Sequence, residues 1–176
     1  GKDFLPKDVI KFCDGFSNLI KNGKCVIARD TRPSGIMIAN IVSATLLERG
    51  IDVYDLGMTP TPIAFTESKK IGAGIVITSS HNPLEWNGLK FIINGRGITE
   101  EELEIVKNER NLDRSNIGRE ITTESNYISD AVKIIGKLNK PQQVTVDIGG
   151  GAAKTVAPKL LQEIGCQVET INDELD

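Results

Sequence analysis

Three short apolar runs, "KCVIAR" (24–29), "IDVYDLG" (51–57) and "GIVIT" (74–78), are separated by segments of helical periodicity. That alternation leaves few folds open. Between the first two lies "SGIMIANIVSATLLERG", with Ser34 read as the N-cap and Gly50 as a left-handed stop. Between the second and third lies "TPIAFTESKKIG", opened by a proline. Strands alternating with helices predict a parallel sheet covered by helices. Ahead of them Val9, Phe12, Cys13, Phe16, Leu19 and Ile20 recur at helical spacing, with Asn22-Gly23 as the stop. "LKFII" (89–93) follows the third strand too soon for a helical crossover and is expected to be antiparallel. Thr99 and Glu102 form a capping box at the head of "TEEELEIVKNER".

From about Asn108 to Ser125 the pattern dissolves into polar residues, and "NYISDAVKIIGKL" then predicts a helix. After Pro141 the chain begins again. "QVTVDIGGGAAKTVAPKLLQEIGCQVETIND" reads as strand, glycine-rich turn, helix and strand, with Leu160-Leu161 and Gly165 echoing Leu46-Leu47 and Gly50. The expected fold is therefore α/β: a mixed, mostly parallel sheet sandwiched by helices over 1–138, then the opening βαβ unit of a similar second domain over 139–176. One βαβ unit cannot bury both faces of a sheet, so the chain is expected to be part of something longer.

Composition narrows the partners. A net charge of −3 argues against nucleic-acid backbone binding, and no apolar run approaches membrane-spanning length. "GKDFLPKDVIKF" lacks a signal-peptide profile. Cys13, Cys25 and Cys166 are odd in number and lack metal-ligand spacing. Cys13 falls on an apolar helix face and Cys25 in a strand, so both are read as buried thiols in a reducing cytoplasm.

In such a sheet, ligands bind where loops leave the carboxyl ends of the strands. Three loops qualify: Arg29-Asp30-Thr31-Arg32, Gly57 through Pro62, and Ser79 through Asn87. An antiparallel "LKFII" would start at the same edge and bring Lys90 near Ser80. A hydroxyl, the chain's one imidazole (His81), an ammonium and one or two guanidiniums would then share a cleft suited to a phosphorylated ligand. Singly, these residues have plainer readings: "SSHNP" as turn chemistry, Arg29 and Arg32 as surface charges or helix-end partners, Trp86 as packing. A Ser-His hydrolase fits poorly, because adjacent side chains diverge and "TSSHN" lacks the glycines of a nucleophile elbow. "VDIGGGAAKT" departs from the phosphate-loop pattern, which would need glycine at Ile148 and Ala153, and from the dinucleotide pattern, which would need Gly or Ala at Lys154, although Glu169 and Asp173 lie near the acidic spacing of the latter. A structural strand-to-helix turn is expected there.

Thr78-Ser79-Ser80-His81-Asn82-Pro83, followed by Trp86-Asn87-Gly88-Leu89-Lys90, resembles the active-site serine loop of the α-D-phosphohexomutases. That superfamily comprises phosphoglucomutases, phosphomannomutases and phosphoglucosamine mutases. "ARDTRPSG", "DLGMTPTP" and "VDIGGGAAKTVAPKLL" support the resemblance in the same order, over nearly the whole chain. It implies a four-domain enzyme of which this chain holds the first domain and the opening of the second. It also implies a phosphoryl group carried on Ser80, with His81 and Lys90 assisting proton movement and charge stabilisation. Hexose phosphate and hexose 1,6-bisphosphate would be its ligands. A magnesium ion would meet the Ser80 phosphate and an aspartate loop that this sequence lacks. The alternatives are a phosphoglucosamine mutase, or a non-catalytic phosphosugar- or nucleotide-binding module on the same sheet.

Overall fold

A computed structural model describes residues 4–108 and 116–174. Strands β1 (Lys24–Arg29), β2 (Asp52–Met58), β3 (Ala73–Ile77), β4 (Leu89–Ile93), β5 (Arg96–Gly97) and β6 (Glu120–Thr122) form one sheet. Their order is β5-β4-β3-β1-β2-β6. β1 pairs in parallel with β2 and β3, and β2 with β6; β4 runs antiparallel to both β3 and β5. The sheet is thus mixed and mostly parallel, with β1 at its centre.

Side chains alternate across the strands and sort into two layers. Cys25 and Ile27 of β1, Ile75 and Ile77 of β3 and Ile93 of β4 belong to one apolar cluster. There they meet α1 (Pro6–Ser17), α2 (Gly35–Glu48) and α4 (Glu100–Lys107) through Phe16, Val42, Leu46 and Val106. Ala28, Val76 and Ile92 face the other way, against Ala64 and Phe65 of α3 (Thr61–Ile71). Each fully buried aliphatic side chain contributes roughly 1.5–3 kcal/mol relative to exposure. Lys90 has the same parity as Ile92 and therefore lies on the α3 side of the sheet.

Several expectations change. The first helix ends at Ser17, short of Asn22-Gly23: Asn18 folds back to donate through Nδ2 to Gly15 O at 3.0 Å. Leu19 and Ile20 follow in tight turns and still pack on the core. Ser34 stands at the head of α2, but its side chain makes no capping bond; its hydroxyl accepts from Asn87 Nδ2 instead, at 2.9 Å. The polar stretch after Asn108 contains β6, whose three residues pair with β2. Glu109 and Arg110, at the end of the expected fourth helix, lie with the rest of 109–115 outside the described residues. Asn94-Gly95, both with positive φ, make the hairpin turn into β5.

α5 (Tyr127–Ile135) leads into a second, two-stranded parallel sheet. It consists of β7 (Gln142–Asp147), a single 3-10 turn (Ala152–Thr155), α6 (Ala157–Glu163) and β8 (Cys166–Ile171). The glycine-rich segment is the expected strand-to-helix turn, with Gly149 and Gly150 both left-handed.

Candidate active site

The carboxyl ends of β1, β2 and β3 open on one cavity of about 560 Å³. All three loops read from the sequence reach it: Asp30 to Arg32, Thr59 to Thr61, and Ser80, His81, Asn82 and Leu84. Lys90 lines it from β4. The residues from Gly149 to Ala153 border it as well, which the sequence did not foretell.

Ser80 is exposed and adopts φ +56°, a left-handed conformation uncommon outside glycine. The loop supplies the restraints that this needs. Ser80 N–H donates to Thr78 Oγ1 at 3.0 Å, a local turn built by a side chain. Asn82 N–H donates to Ser79 O at 3.1 Å, and Asn82 Nδ2 donates to Ser79 O and Oγ at 2.9 and 3.2 Å. The hydroxyl of Ser79 is therefore engaged. That of Ser80 has no partner among the described residues. The His81 imidazole and Lys90 ammonium are likewise exposed and unpaired among those residues.

The far end of the loop is anchored at Asn87, which is buried. Its side chain donates to Ser34 Oγ and accepts from Gly88 N–H at 2.9 Å. Thr78 N–H bonds Gly88 O at 3.0 Å, closing the excursion back onto the sheet.

Three side chains depart from expectation. Trp86 is 44% exposed rather than packed. Arg32 is 4% exposed, and its guanidinium donates to Asp30 Oδ2 and to the carbonyls of Ser80, Asn82, Pro83 and Trp86. It is neither a surface charge nor a cation with a donor to spare for a ligand. Arg29 is half-buried and donates a long 3.5 Å bond to Asp30 O. Lys90 thus remains the cleft's freely presented permanent cation among the described residues. Cys13 and Cys25 are buried in the core, where desolvation pushes the Cys13 thiol up to about 12 and raises Cys25 well above its usual value. Neither is a nucleophile at neutral pH.

No group of three His, Cys, Asp or Glu side chains converges among the described residues.

An α/β domain with an exposed, left-handed serine and an exposed lysine at the carboxyl edge of its parallel strands is what the geometry defines. Residues 1–116 match the family described as phosphoglucomutase/phosphomannomutase, alpha/beta/alpha domain I, and the chain belongs to it. It is 37% identical over 171 residues to a phosphoglucosamine mutase of Alkaliphilus oremlandii, covering 89% of this chain and 38% of that protein. With a phosphoglucosamine mutase of Thermosipho africanus it shares 33% identity over 184 residues, covering 99% and 43%. Among solved structures, a phosphoglucomutase/phosphomannomutase family protein of Burkholderia thailandensis superposes with a TM-score of 0.83 at 25% identity. That match covers 100% of this chain and 42% of the other. The chain spans about two fifths of the length of these curated relatives.

Proposed function

We propose that the complete protein is a phosphohexomutase interconverting hexose 1- and 6-phosphates, with Ser80 as a reversible phosphoryl carrier. Residues 1–138 would form its first domain and residue 139 onward the start of a second. The observation that carries this reading is the Ser80 hydroxyl, unpartnered among the described residues and set on a left-handed turn in the cavity that Lys90 and His81 also line.

Phosphoryl transfer demands little covalent chemistry and much positioning and charge neutralisation. In the first half-reaction the bond from phosphorus to Ser80 Oγ breaks as one forms to the free hydroxyl of the sugar phosphate. The sugar hydroxyl loses its proton and Ser80 Oγ regains one, leaving a hexose bisphosphate. The second half-reaction returns the other phosphoryl group to Ser80. Lys90 would offset charge on the transferring group, and His81 would move the proton. A bound magnesium ion would supply further charge neutralisation. The donor this chain would lend it is an oxygen of phosphorylated Ser80.

The names of the similar proteins favour an amino sugar, glucosamine phosphate, over mannose or glucose phosphate. Three free cysteines agree with a reducing, cytoplasmic setting.

The complete protein incubated with a sugar bisphosphate should gain the mass of one phosphoryl group, mapped to Ser80. Ser80→Ala should abolish both the mass gain and turnover of glucosamine, mannose and glucose phosphates. Full turnover by that variant would refute the assignment.

A further inference from the structure

We propose that Arg32 is the positioning residue of the serine loop, fixing the turn that presents Ser80 to the cleft. The proposal rests on the phosphoserine reading above.

A guanidinium has five N–H donors in a rigid planar fork. All five are used here. Nε meets Asp30 Oδ2 at 3.0 Å. Nη2 meets Ser80 O at 2.9 Å and Asn82 O at 2.8 Å, and Nη1 meets Trp86 O at 2.9 Å and Pro83 O. Four carbonyls of one loop converge on one buried cation, which stabilises an arrangement that the loop's own short-range bonds do not determine. The fork is itself held, because Arg32 N–H donates to Asp30 Oδ1 at 3.0 Å while Asp30 Oδ2 takes Nε.

The consequence for Ser80 is specific. Its amide is pinned by Thr78 Oγ1 and its carbonyl by Arg32, so the peptide on each side of a left-handed residue is tied down. Both backbone dihedrals, and with them the exit direction of the side chain, are set before any ligand arrives. A serine adopts that conformation only against a steric penalty. Displacing a reacting group by about 1 Å lowers rates on the order of a hundredfold. Asn87 anchors the loop's end through bonds to Ser34 and Gly88, not to Ser80, so its role is different.

A lysine would keep the charge but offers three donors from one point. Arg32→Lys in the complete protein should therefore lower kcat at least tenfold with KM for the hexose phosphate within threefold. Hydrogen exchange across residues 79–88 should accelerate, while β1 and β3 stay protected. In the unaltered protein, side-chain NMR should resolve separate, slowly exchanging Nη protons for Arg32, before any variant is made. Rapidly averaged Nη signals would overturn the clamp. Slow Nη signals combined with an unchanged kcat in a folded Arg32→Lys protein would overturn the positioning role and leave the phosphoserine reading intact. Turnover by Ser80→Ala would instead remove that reading, and the catalytic role of Arg32 with it.

Discussion

A buried arginine is the residue that a sequence conceals best. Arginine is rarely interior unless paired, and here four of its five acceptors are backbone carbonyls, which leave no trace in residue identity. Burial of the thiols, by contrast, follows directly from periodicity. Cys13 and Cys25 sit in the core with their thiols raised, whereas Cys166 is half-buried at the start of β8. Native protein treated with a thiol reagent near neutral pH should modify Cys166 first. Cys13 and Cys25 should react only at the rate of unfolding. Equal labelling of all three sites in the folded protein would contradict the core described here. Asn87 supplies a second test at this scale. Its buried amide holds Ser34 and Gly88, so Asn87→Ala should destabilise by about 1–3 kcal/mol in denaturant melts. A change near zero would mean that the loop closes without it.

At the scale of elements, capping and packing separate in legibility. The start of α4 was plain from Thr99 and Glu102, and both reciprocal bonds form: Thr99 N–H to Glu102 Oε2 at 2.8 Å, and Glu102 N–H to Thr99 Oγ1 at 3.3 Å. The fork from Arg96 to the same carboxylate was not foreseen, because β5 is only two residues long. Chiefly through Arg96, and then through the Thr99 amide, the Glu102 carboxyl is pulled from 4.5 down to about 2. Its folded value lies below its unfolded one, so its contribution is complete above about pH 4.5 and is lost as pH falls toward 2. Glu102→Gln should therefore lower stability near neutral pH and flatten the acid dependence through that window. Parallel acid melts for both proteins would count against it. Thr99→Ala should cost about 1 kcal/mol through the lost cap. The contact between α1 and α4 was invisible in the sequence. A Cβ on Gly15 would lie 1.9 Å from Val106 O, so Gly15→Ala must force the helices apart and cost roughly 1–3 kcal/mol or more.

Across the whole molecule, the two βα repeats, the third parallel strand and the antiparallel return were readable because period, length and turn residues agreed at each step. The strand β6 was not: three residues carry no periodicity, and only pairing with β2 defines it. The cavity's three loops followed from topology, whereas the approach of Gly149–Ala153 depends on how the second unit sits. That unit differs energetically from the first. Neither α5 nor α6 has a buried residue, and among the described residues of 139–174 only Ile148 and Ala152 are buried. A two-stranded sheet is marginal by itself, and the helices beside it add little buried apolar surface. Leu138 N–H to Ile164 O, at 2.8 Å, ties the linker to this unit rather than to the six-stranded sheet. Local opening should then cost far less here than in the core. In this chain the amides of β7 and β8 should exchange at least about tenfold faster than those of β1 and β3, in one cooperative group that begins near residue 138. Uniform protection across both sheets would show that the chain unfolds as a single unit, and the division into two domains would fail with it.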